Sequence, residues 1–222
     1  MTKPLQNSRH GRWNQIIRLM VGVLMLGTLY GCGYQQMKKE QFAVDGAWSK
    51  VMISYKERDD SIEWLTPLLE GSGGDNAKLA AWYTDVRSKV ATMSAGGMVT
   101  QEPAVFMTMK VQLSELSKAT AAMMDAGSKM IGAGGPGISE AMREKWIATL
   151  TKMTESNAQI DLARRQYGLA AGTYNSIIQV FPNKYTAGVV GIKMLPTFES
   201  AVDAAGNPIV QTLTESVGLA KD

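Results

Sequence analysis

Residues 146–181 read WIATLTKMTESNAQIDLARRQYGLAAGTYNSIIQVF and carry the strongest helical signal in the chain. Steps of four and three residues alternate here over five heptads, and such steps keep residues on one side of a helix. We predict one helix of about 54 Å, at about 1.5 Å per residue, which Pro182 ends because proline cannot continue the hydrogen-bond ladder. The predicted contact face comprises Trp146, Leu150, Met153, Asn157, Ile160, Arg164, Tyr167, Ala171, Tyr174, Ile178 and Phe181.

Three shorter amphipathic segments precede the long one. They span about Lys38–Thr66, Asn76–Ser94 and Glu102–Met130, and each repeats apolar residues at helical spacing. No segment alternates with the two-residue period of a strand. The sequence therefore predicts an all-α fold, an antiparallel up-down helical bundle with coiled-coil spacing and four main helices, one of them very long. Glycine-rich connections are predicted at residues 71–74, 96–97 and 132–137.

Local signals mark the ends of the predicted helices. Asp75 and Ser139 are of the residue types that cap helix N-termini. Pro103 suits the first turn of a helix, where its missing N–H costs nothing. After Pro182 the chain contains glycines and prolines and no sustained period, so we predict an irregular segment there. Residues 201–222 are predicted to form a flexible C-terminal tail.

The N-terminus has the composition of an export signal. Residues 1–31 hold four basic and no acidic side chains, and twelve uncharged, mostly apolar residues follow Arg18. Such a run fits a signal peptide better than a membrane span, which needs about 20 residues. We therefore predict a signal peptide at residues 1–31, with a short uncleaved transmembrane anchor as the alternative. Positive charge before the apolar run sends the remainder across the membrane. The predicted location is membrane-anchored and extracytoplasmic, in the cell envelope.

Cys32 is the only cysteine, which excludes an intramolecular disulfide. The sequence Leu29-Tyr30-Gly31-Cys32 resembles a bacterial lipobox. That resemblance implies a lipoprotein: cleavage before Cys32, lipid on its sulfur that palmitate labelling would detect, and acyl chains buried in the bilayer. The alternative is an unmodified cysteine at the end of a plain membrane helix. Both interpretations make membrane lipid a partner of the chain.

Charge and composition exclude several classes of function. The formal net charge is +3, but without residues 1–31 there remain 19 Lys and Arg against 20 Asp and Glu. The chain outside residues 1–31 therefore lacks the basic excess that would indicate nucleic-acid binding. His10, the only histidine, lies in the predicted signal, which removes histidine-based catalysis and histidine metal sites from the rest of the chain. We predict a protein that is not an enzyme and that has no cofactor, no metal and no nucleic-acid partner.

Several short segments share their pattern with a known family. The C-terminal ones are Ala163-Arg164-Arg165-Gln166-Tyr167, Tyr174-Asn175, Phe181-Pro182 and Pro196-Thr197-Phe198-Glu199, and Gly33-Tyr34 and Ala47-Trp48-Ser49 join them near the N-terminus. In this order they resemble the LemA family over roughly residues 33–200. The resemblance implies a membrane-anchored, extracytoplasmic helical bundle, here residues 32–200, with a role in membrane organisation. It makes Arg164, Arg165, Tyr167, Tyr174 and Asn175 candidate motif or interaction residues.

Polar residues interrupt the predicted contact faces at three positions. Arg58 in the first helix and Arg164 in the fourth permit two interpretations. They form an internal charged layer that recognises a ligand or sets helix register, or they reach the surface and pair with nearby carboxylates. Asn157 is predicted to select register. The nearby carboxylates are Asp59, Asp60, Glu63 and Asp161.

These patterns favour two functions over a third, a histidine-free hydrolase with a Ser-Lys dyad or a carboxylate pair, for which no motif singles out a pair. The first is a scaffold or interaction module that presents helix faces and the loops at 67–75 and 131–138 to a membrane or envelope protein. The alternative is a small-molecule-binding module with a charged core layer at Arg58 and Arg164. The sequence contains no motif that identifies the partner or the ligand.

Overall fold

A computed structural model of the chain describes residues 9–97, 99–132, 134, 137–199, 201–202 and 208–209. Within these residues the fold is all-α, as predicted, with six helices. Two two-residue strands, β1 (Ala201–Val202) and β2 (Pro208–Ile209), pair antiparallel near the C-terminus. The helices are α1 (Arg9–Ile62), α2 (Leu65–Ser72), α3 (Gly74–Ala95), α4 (Pro103–Gly132), α5 (Glu140–Gln179) and α6 (Asn183–Val190).

The first helix is much longer than predicted. We expected a start near Lys38, but α1 runs without a break from Arg9 to Ile62. The predicted signal or anchor, residues 1–31, therefore enters this helix at Arg9. The lipidation predicted at Cys32 lies outside the described side chains, as does the rest of the leader apart from Met20. Within the described part of the chain, no helix is both long enough and apolar enough to cross a bilayer.

The connection predicted at residues 71–74 is largely helical. Pro67 lies in the first turn of a separate helix, α2, where proline is tolerated. Only Gly73 separates α2 from α3, and its φ of +70° favours glycine. Gly73 is also the N-cap of α3, so the cap predicted at Asp75 is wrong; Asp75 lies in the first turn instead. There its negative charge faces the positive end of the helix dipole.

The other predicted helix starts are confirmed. α4 begins at Pro103, where the missing N–H removes no helical hydrogen bond. Ser139 caps α5, and its hydroxyl accepts a hydrogen bond of 3.3 Å from the backbone N–H of Met142. That bond supplies a partner to one of the N–H groups that a helix N-terminus leaves open.

The buried face of α5 follows a register different from the predicted one at several positions. Leu150 and Phe181 are 44% and 78% exposed, and Asn157 is also exposed, so the prediction of these three as contact residues is wrong. Smaller residues one position earlier, such as Thr149 and Ser156, are buried instead. Steps of three and four fit either choice, and packing against neighbouring helices selects one. The buried residues of α5 are Trp146, Thr149, Met153, Ser156, Ile160, Ala163, Tyr167, Ala171, Tyr174, Asn175 and Ile178.

The segment after Pro182 is more ordered than predicted. Residues 183–190 form α6, which packs against α1 and α5. The chain then returns along the bundle and buries Leu195 and Phe198 in the core. The prediction of an irregular segment is therefore wrong for α6, because short elements without periodicity gain their order from tertiary contacts. The predicted flexible tail at 201–222 lies outside the described residues, except for β1 and β2.

Candidate functional site

A buried ion pair on α1 is hydrogen-bonded to α4. Arg58 and Asp59 are only 3% and 2% exposed, and Nε of Arg58 donates to Oδ1 of Asp59 at 3.1 Å. The guanidinium also donates to the hydroxyls of Ser117 at 3.2 Å and Thr120 at 3.4 Å, both on α4. Arg58 is thus internal, and Asp59 is its partner among the four carboxylates considered. A buried charge needs such a partner because an unpaired one costs several kcal/mol.

The surroundings of Asp59 raise the pKa of its carboxyl above the usual value. Burial is the largest cause, and the neighbouring Arg58 charge opposes it. Thr120 donates to Oδ1 of Asp59 at 3.3 Å, and the hydroxyl of Tyr83, on α3, donates to its backbone carbonyl at 3.1 Å. Burial first, and the Asp59 charge second, raise the pKa of Tyr83 as well. The ion pair is therefore tied into three helices by hydrogen bonds.

Arg164 on α5 is held differently from Arg58. Its guanidinium carbon lies 5.6 Å from the ring centre of Tyr55 and 4.6 Å from that of Phe198. Both distances suit attraction between a cation and an aromatic face. Its Nε is buried and has no hydrogen-bond partner among the described residues. Asp161, the carboxylate expected nearby, is exposed and forms no ion pair with Arg164. Arg164 therefore keeps unused hydrogen-bonding capacity.

Tyr55 joins the two arginines. The guanidinium carbon of Arg58 lies 4.9 Å from its ring centre, so both cations contact the same ring. Burial raises the pKa of the Tyr55 hydroxyl, and the two arginines partly oppose that shift. Arg58 and Arg164 thus lie together around Tyr55, in keeping with the internal-layer interpretation, although among the described residues only Arg58 forms an ion pair with a carboxylate.

A groove lies beside this layer, between α1, α4 and α5. Its volume is about 590 Å³, within the range of small-molecule pockets. Met153, Asn157 and Arg164 line it from α5, and Arg58 lines it from α1. Asn157, predicted to select helix register inside the bundle, belongs to the exposed rim of the groove instead. The rim also carries the Asp161 carboxylate.

Four aromatic rings form a second cluster, next to Arg164. Trp48 of α1, Phe106 of α4, Tyr167 of α5 and Phe198 of the returning segment contact one another in every pairwise combination, at 5.4–6.0 Å between ring centres. Tilted and offset ring pairs at such distances stabilise beyond their apolar burial. This aromatic cluster attaches the returning segment to three helices.

Two of the predicted motif residues hold the same segment through its backbone. The amide of Asn175 donates to the carbonyl of Leu195 and accepts from its N–H, both at 2.8 Å. The hydroxyl of Tyr167 donates to the carbonyl of Pro196 at 2.9 Å, and burial raises the pKa of that hydroxyl. Tyr174 is buried, while Arg165 is exposed. Tyr167 and Asn175 therefore serve internal attachment in this fold.

The contact that fits α6 against α1 was not predicted from the sequence. Asn183 is buried, and its amide donates to the carbonyl of Ile177 at 3.1 Å. A Cβ added at Gly33 would collide with the side-chain oxygen of Asn183, so α6 approaches α1 where only glycine has room. The Phe181-Pro182-Asn183 sequence was visible, but nothing in it indicated a contact with Gly33.

A model of the LemA family matches residues 47–211. The chain belongs to the LemA family. No curated protein and no solved structure matches it. The match begins after Gly33-Tyr34, which the sequence resemblance had included, and it extends past residue 200. It contains Arg58, Arg164, Tyr167 and Asn175, so the ion pair, the groove and the attachment of the returning segment all lie within the LemA region.

The chemistry available at this LemA site is that of recognition and packing. Among the described residues, no three His, Cys, Asp or Glu side chains come together as metal ligands would. The groove offers hydrogen-bond donors on Arg164 and Asn157, aromatic faces and apolar walls. Such a surface suits a small anionic or amphipathic ligand, because a guanidinium binds carboxylates and phosphates through paired hydrogen bonds.

Proposed function

We propose that this LemA protein is a membrane-tethered, extracytoplasmic helical bundle that acts as a scaffold at the membrane surface, in membrane or envelope organisation. The unbroken helix α1 carries the proposal, because it joins the predicted leader at Arg9 to the core at Ile62. With the leader uncleaved, this helix of 54 residues extends about 80 Å at about 1.5 Å per residue, and cleavage before Cys32 would leave residues 32–62 as a helix of about 46 Å. A continuous helix would hold the bundle in a defined orientation to its anchor, which a flexible linker would not.

The proposed bundle is an antiparallel up-down arrangement of four main helices, α1, α3, α4 and α5. The contacts between α1 and α5 support it. The indole N–H of Trp64, just after α1, donates to Thr149 near the start of α5 at 3.0 Å. Earlier in α1, Trp48 contacts Tyr167, further along α5. Contacts that move forward on one helix and backward on the other favour an antiparallel pair.

A scaffold also fits the use made of the motif residues. Tyr167 and Asn175 hold the returning segment, and Arg58 is occupied by Asp59 and two hydroxyls. These contacts favour a structural role over an enzymatic one, since no described side chain among them is free to act on a substrate. Exposed apolar residues such as Leu162 and Leu169 on α5 remain available to a membrane or envelope protein.

Membrane fractionation and crosslinking in cells test the scaffold. A photo-crosslinking amino acid at Leu169, which is 74% exposed, should yield a discrete adduct with an envelope protein in the membrane fraction. The same probe at Glu57, exposed on α1, controls for random collision. A chain found wholly in the cytosol, or identical adduct patterns from the two positions, would contradict the proposal.

The form of the anchor has its own test. Radiolabelled palmitate should enter the wild type and not Cys32→Ser, and the uncleaved variant should run heavier on a gel. Equal labelling of both proteins would rule out Cys32 as the acylation site. Absence of label from a membrane-bound wild type would favour the uncleaved anchor instead.

The groove supports small-molecule binding as a second candidate function. The unpartnered Nε of Arg164 favours it, because a buried donor without a partner costs free energy that a bound anion would offset. Arg58 has no such spare donor, so any ligand would depend on Arg164. Thermal shifts with acetate, citrate and phosphate should be lost in Arg164→Met and kept in Arg165→Met, its exposed neighbour. Equal shifts in both variants would remove the groove as the binding site.

A further inference from the structure

Exposed apolar side chains are concentrated at one end of the fold. Val180, Phe181, Tyr185, Val189 and Val190 are 53–80% exposed, and together they occupy only residues 180–190. Of the large apolar side chains that are both described and exposed, five of fourteen lie in this short segment. A contiguous apolar patch of this kind commonly marks a surface that contacts a protein or a membrane.

The spacing of these residues makes α6 amphipathic. Tyr185 and Val189 are four residues apart in α6, which places them on one side of the helix, and Phe181 lies just before the helix begins at Asn183. The rings of Phe181 and Tyr185 contact each other at 6.1 Å between centres. The opposite side of α6 is packed into the bundle, with Asn183 and Thr186 buried. We refer to the outward row, Val180, Phe181, Tyr185, Val189 and Val190, as the α6 stripe.

The α6 stripe lies beside the point where the chain leaves its predicted anchor. Asn183 packs so closely against Gly33 that a Cβ there would collide with it. Gly33 directly follows Cys32 and the apolar run at 19–30. In a protein tethered through that segment, the end of the bundle that carries α6 is the end next to the bilayer.

The charges around the stripe suit a lipid surface. Residues 180–195 contain Lys184 and Lys193 and no acidic residue. Lys184 is exposed, while Lys193 pairs with Glu102 at 3.4 Å. Lys38 and Lys39 follow Gly33 on α1 after little more than one helical turn. Lysines beside an apolar row attract anionic lipid headgroups, and their alkyl stems accommodate the boundary between headgroups and acyl chains.

We propose that the α6 stripe is a membrane-interface surface, which inserts its aromatic and valine side chains at the headgroup boundary and orients the bundle on the bilayer. The inference rests on the proposed membrane tether. The tether supplies attachment, and the stripe adds a second contact that limits rotation of the bundle about its anchor. An interfacial helix of this type lies in the plane of the membrane surface rather than across it.

A site-specific fluorophore tests the proposal. The full chain, with Cys32→Ser so that no other thiol reacts, is reconstituted in vesicles of zwitterionic and anionic lipid. An environment-sensitive NBD group is attached at Val189→Cys or, as the control, at Ile147→Cys. Ile147 is 64% exposed. It lies near the start of α5, whereas α6 follows the other end of that helix. The label at position 189 should shift to shorter wavelength and be quenched by brominated lipids, and the label at 147 should not.

A second variant separates insertion from mere proximity. Phe181→Ser with Tyr185→Ser should reduce the quenching of the label at position 189 while the helical circular dichroism is unchanged. Labels at 189 and 147 that are equally unquenched, on a chain that floats with the vesicles, would overturn the inference alone. Wild-type chain, with Cys32 intact and taken from cell membranes, that does not float with the vesicles would overturn the proposed tether and the inference together.

Discussion

Replacement of Asn175 by alanine tests how the returning segment is held. The side chain supplies both hydrogen bonds of the Leu195 backbone, each 2.8 Å long and buried. Alanine would leave a buried N–H and a buried C=O without partners, at about 1–3 kcal/mol each. We therefore expect the free energy of unfolding to fall by about 2–6 kcal/mol. A loss near 4 kcal/mol corresponds to about 8–16 °C in melting temperature for a domain of this size.

Asn157→Ala is the matched control, since it is the same substitution on the same helix at an exposed position. Surface substitutions usually change stability by less than about 0.5 kcal/mol. Urea unfolding followed by circular dichroism, in detergent, measures both variants. Hydrogen exchange at the Leu195 amide should accelerate in Asn175→Ala, and Trp48 fluorescence should change as Phe198 leaves the aromatic cluster. Equal midpoints for the two variants, with unchanged exchange at Leu195, would refute the reasoning.

Two further substitutions follow from the same structure. Gly33→Ala should destabilise the packing of α6 on α1, because the added Cβ would collide with Asn183. Gly46→Ala, which has open space around it in α1, should instead stabilise the protein by about 0.5–1 kcal/mol. Differential scanning calorimetry measures both variants, and stabilisation by both would contradict the close approach of α6. The pKa of the Asp59 carboxyl is raised in the folded state. The folded state therefore keeps the carboxyl proton at a pH where the unfolded state has released it. The free energy of unfolding should fall as pH rises from about 4 through the raised pKa. That component of the pH dependence should be absent from Asp59→Asn, and identical pH slopes in the two proteins would show that the carboxyl does not titrate differently on folding.

The attachment of the returning segment gives a structural role to two of the residues that carry the resemblance to the LemA family. Tyr167 and Asn175 lie two helical turns apart on α5 and bind adjacent carbonyls of residues 195 and 196. Phe198 then completes the aromatic cluster and contacts Arg164. The segment thus covers the end of the charged layer, and loosening it would alter the environment of Arg164. Stability at Asn175 and ligand binding at Arg164 are therefore expected to be coupled.

The pattern of α5 illustrates what periodicity can predict. Alternating steps correctly identified Trp146, Met153 and Ile160 as buried, since both possible registers share them. They did not distinguish Leu150 from Thr149, or Asn157 from Ser156, and the larger or more distinctive residue was chosen each time. Close packing against neighbouring helices prefers the small residue, and that preference depends on distances that a single sequence does not contain.

The arginines show a similar division. Their positions on helix faces permitted an internal layer or a surface position, with Asp59 among the expected partners. Sequence could not reveal that Tyr55 lies between the two arginines, or that Arg164 contacts the ring of Phe198 and forms no ion pair with a described carboxylate, because Phe198 belongs to a segment predicted to be irregular. Periodicity and family resemblance both identified Tyr167, and resemblance alone identified Asn175, but neither indicated their binding partners at residues 195 and 196.

Local chemistry was enough to establish the helical class, the start of α4 at Pro103, the Ser139 cap of α5, and membership of the LemA family. These features depend on residues close together in the sequence, so their spacing and hydrogen-bonding groups can be read from the sequence directly. Tertiary packing determined the register of α5, the formation of α6, the burial of the returning segment and the different surroundings of Arg58 and Arg164. Each depends on contacts between residues far apart in sequence, whose free energy exists only once the helices have packed together.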